Sequence, residues 1–279
     1  AMGAAYAHCA GNILSTSDGT WDVWLNAGVA TRAGVLAAEL ARRGHQGAHA
    51  PLLGASGLYP LYFRGEYHED ALLSELGVKF EGANVSIKPF ASCKGTHHAI
   101  QTALELTEKH AIDPDKIARI AVRTCQYKMQ MVVNDSAGIV KPAPTSINEA
   151  QFSMAFTIAL ALVKGAVFTD LLTDETLQDP TILNLFARTS ITATPEKDEL
   201  QKTEGYPPDD VEIHMTNGKI YTGCAQFVTG HPEKPMSFDD VVKKFQRCAT
   251  MAEKPITDAK LEGFISTIKI WKKPTIFGR

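Results

Sequence analysis

The stretch 148–164, NEAQFSMAFTIALALVK, constrains the fold more than any other part of this sequence. A surface helix needs an apolar stripe on one side only, whereas this one is apolar nearly all round and can be stable only when other elements cover it on every side. Ser146 or Asn148 supplies the side-chain oxygen of an N-cap, and Gly165 supplies the residue that ends a helix. A buried helix demands a large surrounding core. With 279 residues, 44% of them hydrophobic, the chain has the material for one big or two modest domains.

The surroundings can be read from periodicity. Residues 27–43 carry small and apolar side chains on most turns and stop at Gly44, which predicts a tightly packed core helix. The stretch 44–67 is too polar and punctuated for regular structure, and 69–76 reads as helical. Residues 84–90 alternate as a strand does. Residues 97–110 then place Ile100, Ala103, Leu104 and Leu106 at helical spacing. After Asp113-Pro114-Asp115, the β-branched alternation of 117–125 predicts a half-buried strand, and a second strand-like piece ends near Val133. Helices are expected over 169–177 and 180–189. The turn Asn217-Gly218 between alternating segments is the strongest local hairpin signal and joins strands over 211–216 and 219–227. Helices close the chain over 238–251, behind a Ser237 cap, and 258–269. The order of periods predicts an α+β protein: a discontinuous all-helical domain, 1–80 and 230–279, with a smaller mixed α/β lid, 81–229.

Composition removes several classes of function. Lys+Arg 28 against Asp+Glu 31 leaves a net charge of -3, without the basic excess that a nucleic-acid partner requires. The 5 cysteines are odd in number and lack Cys-x-x-Cys or regular histidine spacing, which speaks against a disulfide scaffold or structural zinc. No apolar run reaches the roughly 18 to 20 residues of a membrane span, the longest being interrupted by Lys164. A reducing setting, cytoplasmic or within an organelle, is the expectation. No His-Glu-x-x-His motif or cluster of carboxylates points to a metal-dependent hydrolase.

The segment 86–106, SIKPFASCKGTHHAIQTALEL, combines Lys88, Phe90, Cys93, Thr96 and His97 ahead of an Ala-Ile helix. In this it resembles the MmgE/PrpD family of cofactor-independent dehydratases, decarboxylases and epimerases of small carboxylic acids. Three further stretches agree in order: the Gly-Thr and small-residue helix of 19–34, the apolar helix of 149–165, and GHPEKPMSFDDVVKKF at 230–245. The resemblance covers nearly the whole chain. It implies a helical domain, a smaller α/β lid, an active site between them, a homodimer, and no metal or organic cofactor. The family's long N-terminal helical segment, with its acidic, histidine-containing motif, has no match here; a separate chain could supply that part.

The chemistry the resemblance implies needs cations to hold carboxylates and an acid or base beside them. Lys88 and His97 are the catalytic candidates, Lys88 ending a strand and His97 opening a helix whose first N–H groups favour an anion. Lys94, Cys93, Asn26 and Trp24 are candidate substrate-binding residues, the last two on the wall opposite Lys88. His98, projecting about 100° from His97, is expected outside the site. Taken without the resemblance, Lys88 and Lys94 also fit solvated charges, Cys93 a small buried hydrophobe, and His97 a helix-start residue bonded to backbone. Two departures from the family bear on the substrate. Val23-Trp24-Leu25-Asn26 stands where the family often has Lys-Arg-Leu-His, and Phe156 stands where decarboxylase members carry a Tyr hydroxyl. Lost charges of this kind imply a substrate less charged, larger or more apolar than methylcitrate, or a chain that serves as a non-catalytic dimerisation or partner-binding module.

Overall fold

The computed structural model describes residues 1–11, 14–18 and 20–271; Gly19, which begins one of the family-like stretches, lies outside them. The protein is a mixed α+β structure, about half helical, with one four-stranded sheet. In chain order the helices are α1 (Met2–Tyr6), α2 (Leu14–Asp18), α3 (Asp22–Arg42), α4 (Leu58–Tyr62), α5 (Glu69–Leu73) and α6 (His97–His110). After strand β1 (Ile117–Thr124) come α7 (Gln126–Val132), α8 (Ile147–Gln151), α9 (Met154–Lys164), α10 (Asp174–Leu177) and α11 (Pro180–Ala187). Strand β2 (Thr189–Ala193), α12 (Pro195–Glu204), the hairpin β3 (Asp210–Met215) and β4 (Ile220–Gly223), α13 (Phe238–Thr250) and α14 (Asp258–Trp271) complete it.

The sheet runs β2-β1-β3-β4, with β1 and β2 parallel and the other pairs antiparallel. In β3, Val211, Ile213 and Met215 are buried at every second position, and Ile213 pairs with Ile120 of β1 while Val211 pairs with Val122. This is the period of a sheet with one face on the core. Helix α6 lies across β3 and β4, and α9 packs between α6 and α11. The apolar stretch is buried as expected: Phe156, Ile158, Ala159, Leu160 and Ala161 have no exposed surface. It is two helices, however. Ser146 caps α8 by accepting from the Glu149 N–H, and Ser153 starts α9 afresh by accepting from the Phe156 N–H.

Other expectations need correction. Residues 84–90 form no strand: a short 3-10 turn (Glu81–Asn84) leads into an irregular segment, where Ile87 N–H bonds to Gly230 O at 2.9 Å. Pro89 next to it has no N–H with which to extend a ladder. The piece ending near Val133 is α7, because Lys128 and Val132, one helical turn apart, both point into the interior. Lys128 is completely buried against Asp209, 2.9 Å away, and also donates to Pro207 O at 2.6 Å; the Thr124 hydroxyl donates to the same carboxylate at 2.7 Å. The periodicity predicts neither strand β2 nor helix α12, and β4 ends at Gly223, short of 227. Most consequentially, α3 is no core helix. Among its described side chains only Ala37 is buried, while Leu25, Val29, Val35 and Leu36 are exposed.

No helix among the described residues is long and apolar enough to cross a membrane. At the other end, α13 is fastened to the body by Arg247, which makes a two-pronged bond to Asp170 (2.6 and 2.8 Å) and stacks 4.3 Å from the Phe168 ring centroid.

Candidate functional site

The segment before α6 is held from three sides. Ala91 N–H bonds to Val167 O and Cys93 N–H to Gln151 O, and the Gln151 side chain donates back to Ala91 O. From the C-terminal side, Lys244 of α13 donates to Lys88 O at 2.7 Å. Opposite stands the turn that carries His231. Gly230 there has φ +90, and a Cβ on it would fall 2.0 Å from Ile87 O, so only glycine lets the two backbones approach this closely.

Within this frame Lys88 and His97 converge on one atom. Lys88 Nζ donates to Ser92 O at 3.1 Å, and His97 Nε2 lies 3.3 Å from the same oxygen. A carbonyl only accepts, so His97 carries its proton on Nε2 and keeps Nδ1 as a bare, basic nitrogen. Ser92 is in turn fixed by Thr96, whose hydroxyl is 2.8 Å from the Ser92 hydroxyl and donates to Cys93 O. The Phe90 ring meets the His97 ring edge-on, with centroids 5.3 Å apart. Burial is the main reason that the His97 pKa is pushed down to about 4, with the positive charges of Lys88 and Lys94 adding to the effect, so the ring is neutral at pH 7.

Lys88, Lys94 and His97 line a hollow of about 250 Å³ whose far wall is Val228, Thr229 and His231. His98, expected elsewhere, lines it too. It is 8% exposed, and its Nδ1 is sealed in without a hydrogen-bond partner among the described residues. Burial pushes its pKa down to about 3. The helix start is flanked by cavity on more than one side, so a neighbour rotated by 100° still faces open space. A second hollow of about 300 Å³ adjoins the first, sharing Lys94, His98 and His231 and adding Tyr206, Gln226 and Phe227. Among the described residues no Asp or Glu lines either hollow.

Cys93 is buried in the main core cluster, and burial raises its thiol pKa, so the sulfur sits behind the site as a protonated thiol. Lys94 is exposed, its Nζ 5.5 Å from the Tyr206 ring centroid. Trp24 and Asn26 are not among the residues lining the two hollows; the Trp24 indole donates to Asn148 Oδ1 at 3.1 Å, on the side of α8. The wall opposite Lys88 comes from 228–231 instead. Its one sequence clue was that His231 falls within the family-like stretch 230–245. No group of His, Cys, Asp or Glu among the described residues could hold a metal ion.

A donor-rich groove without carboxylates, built where a lysine loop meets a helix-opening histidine on an α+β frame, fits the class suggested by the motif at 86–106. The chain belongs to the MmgE/PrpD family, its residues 90–263 matching the MmgE/PrpD C-terminal domain. It is similar to cis-aconitate decarboxylase of Mus musculus, 23% identical over 263 residues, which is 90% of this chain and 50% of that protein. To cis-aconitate decarboxylase of Homo sapiens it is 24% identical over 264 residues, 88% of this chain and 49% of that protein. The chain thus spans about half the length of the curated relatives it matches.

Proposed function

We propose that the groove binds a small carboxylic acid and moves a proton at the carbon beside its carboxylate, in lyase or isomerase chemistry related to that of cis-aconitate decarboxylase. The observation that carries this reading is the meeting of the Lys88 ammonium and the His97 ring on Ser92 O, which gives His97 an unprotonated Nδ1 on a ring that lines the hollow together with Lys88 and Lys94. Ser92 O takes one of the three ammonium donors of Lys88, and among the described residues the other two are left for a carboxylate. His97 Nδ1 takes the proton from the adjacent carbon, and the negative charge that develops on the carboxylate is held by Lys88 and Lys94. The imidazolium then returns its proton, to a departing hydroxyl in a dehydration or to carbon in an epimerisation. In a decarboxylation the bond to the carboxylate breaks, carbon dioxide leaves, and the carbanion takes a proton that solvent supplies through the same ring. A bound anion also offsets the lysine charges that add to burial in lowering the His97 pKa.

The test is turnover and binding of succinate, tricarballylate, citrate and cis-aconitate by the protein, followed by NMR in D₂O to detect exchange beside the carboxylate. His97→Gln should lower turnover about 10² to 10⁴-fold with binding mostly kept. Lys88→Ala should weaken binding by about 1.5 to 3 kcal/mol. Absence of binding by all four acids would reject the reading.

A second reading, a module that binds a partner, is favoured by the uncovered apolar residues of α3. We propose a second copy of this chain as the partner, giving a homodimer, because exposed patches of this kind are normally covered. Light scattering that returns a monomer at all micromolar concentrations would reject it, and binding of a distinct chain would replace it.

A further inference from the structure

We infer that the second hollow is a subsite for a flat aromatic group, so that the acid bound at Lys88 and His97 carries an aryl substituent on its carbon chain. This rests on the carboxylate reading above. Four of the six side chains that line the hollow carry planar rings: His98, Tyr206, Phe227 and His231. Their settings are defined. Phe227 and His231 stack with centroids 4.9 Å apart and planes 25° from parallel. Tyr206 lies edge-on to Tyr127 at 5.8 Å and points its hydroxyl at Met131 Sδ, 3.8 Å away. The hollow therefore offers ring faces and edges of the kind aromatic groups pack against, fixed in place before any ligand arrives.

Its polar groups fit the same ligand. His231 Nδ1 accepts the Glu233 N–H at 3.1 Å, so the ring's proton is on Nε2, which is a donor. Because His98 Nδ1 is sealed in, Nε2 is the only polar atom that ring can offer the groove. Lys94 is the one lysine or arginine among the described lining residues, and its ammonium already lies against a ring face, 5.5 Å from the Tyr206 centroid. A second carboxylate here would share that single cation with the first hollow, whereas a flat, uncharged ring can fill the space between the aromatic walls. Lys94, His98 and His231 line both hollows, so an acid anchored by its carboxylate at Lys88 reaches the ring subsite by passing His98.

The experiment is calorimetric titration of the full chain with succinate, 2-phenylsuccinate and 2-cyclohexylsuccinate, repeated on Phe227→Ala and Lys88→Ala. Phe227 is 37% exposed, so its truncation should leave the fold intact, which thermal melting checks. Phenylsuccinate should bind about tenfold tighter than succinate and tighter than cyclohexylsuccinate. Phe227→Ala should erase that preference while leaving succinate unchanged, and Lys88→Ala should weaken all three acids. Equal binding of succinate and phenylsuccinate, a preference that survives Phe227→Ala, or equal binding of the phenyl and cyclohexyl acids overturns the aryl subsite alone. Failure of all three acids to bind the unaltered chain overturns the carboxylate reading and the subsite with it.

Discussion

Helices α9 and α3 are both rich in small and apolar residues, and they have opposite fates. In α9 every residue from Phe156 to Leu162 is buried between α6 and α11, whereas in α3 Ala37 is the one described residue that is buried and Trp24, Leu25, Val29, Val35 and Leu36 are exposed. A helix apolar all round fixes its own environment, since no orientation leaves it on a surface. A helix such as α3, with Asp22, Arg32 and Arg42 among its apolar residues, specifies only that one side be covered and not by what. The candidate site belongs to the α9 half of the molecule: the loop that carries Lys88 is bonded to Gln151 just before α9 and to Val167 just after it. Helix α9 thus belongs to the region that sets the geometry of the candidate site, whereas α3 leaves its apolar side chains exposed.

The largest expected effect lies in the buried half. Truncating Phe156→Ala should cost about 3 to 5 kcal/mol in chemical denaturation, because α9 is enclosed and a cavity there has little room to collapse. Lys128→Met should cost a similar 3 to 5 kcal/mol, since it leaves the Asp209 carboxylate buried without its cation. Asp209 Oδ2 already lacks a partner among the described residues, and burial raises this carboxyl's pKa. If the loss is much smaller, water or a shifted proton is relieving the charge.

A pH series sharpens the same contrast. His97 and His98 have folded pKa values of about 4 and about 3, below the 6.5 of an ordinary histidine, with burial the first cause in both. In that window the unfolded chain binds more protons than the folded one. Their contribution to stability is thus fully present above about 6.5 and is lost as the pH falls from there toward 4. Denaturation midpoints should drop between pH 7 and pH 5, and His98→Phe should reduce that drop. A midpoint indifferent to pH over this range contradicts the buried placement of both rings.

The smallest effect on folding is expected in α3. Val35→Ser, at a side chain well exposed to solvent, should change stability by no more than about 0.5 kcal/mol, and sedimentation should show it weakening the proposed homodimer. A loss as large as that of Phe156→Ala would erase the distinction between the two helices.

What the sequence made legible follows the same division between local and distant causes. The β3–β4 hairpin, the start of α6 at His97 and the burial of the α9 stretch are dictated by neighbours in the chain: the Asn217-Gly218 turn, the spacing of Ile100 and Ala103, and an uninterrupted apolar surface. Elements defined by distant partners were misread. The alternation of 84–90 suggested a strand, but its one ladder-like bond is to Gly230, far along the chain. Strand β2 is short and gains its identity from pairing with β1. The charge of Lys128 concealed a buried helix face, because Asp209 is 81 residues away. In the candidate site the meeting of Lys88 and His97 was legible and the far wall was not: His231 has only its place in the stretch 230–245, nothing near Tyr206 or Phe227 in sequence says that they line a hollow with His98, and a turn of about 100° along the helix does not take His98 away from it.

The measurement that bears most directly on the account is a ¹⁵N NMR titration of the histidine rings with tricarballylate, in the unaltered chain and in Lys88→Ala. The account predicts a neutral His97 protonated on Nε2 at pH 7, ring signals of His97 and His98 that move as the acid is added, and an affinity weakened by about 1.5 to 3 kcal/mol when Lys88 is removed. A His97 that is already charged at pH 7, or acid binding that leaves both rings unmoved and is indifferent to Lys88, would contradict it.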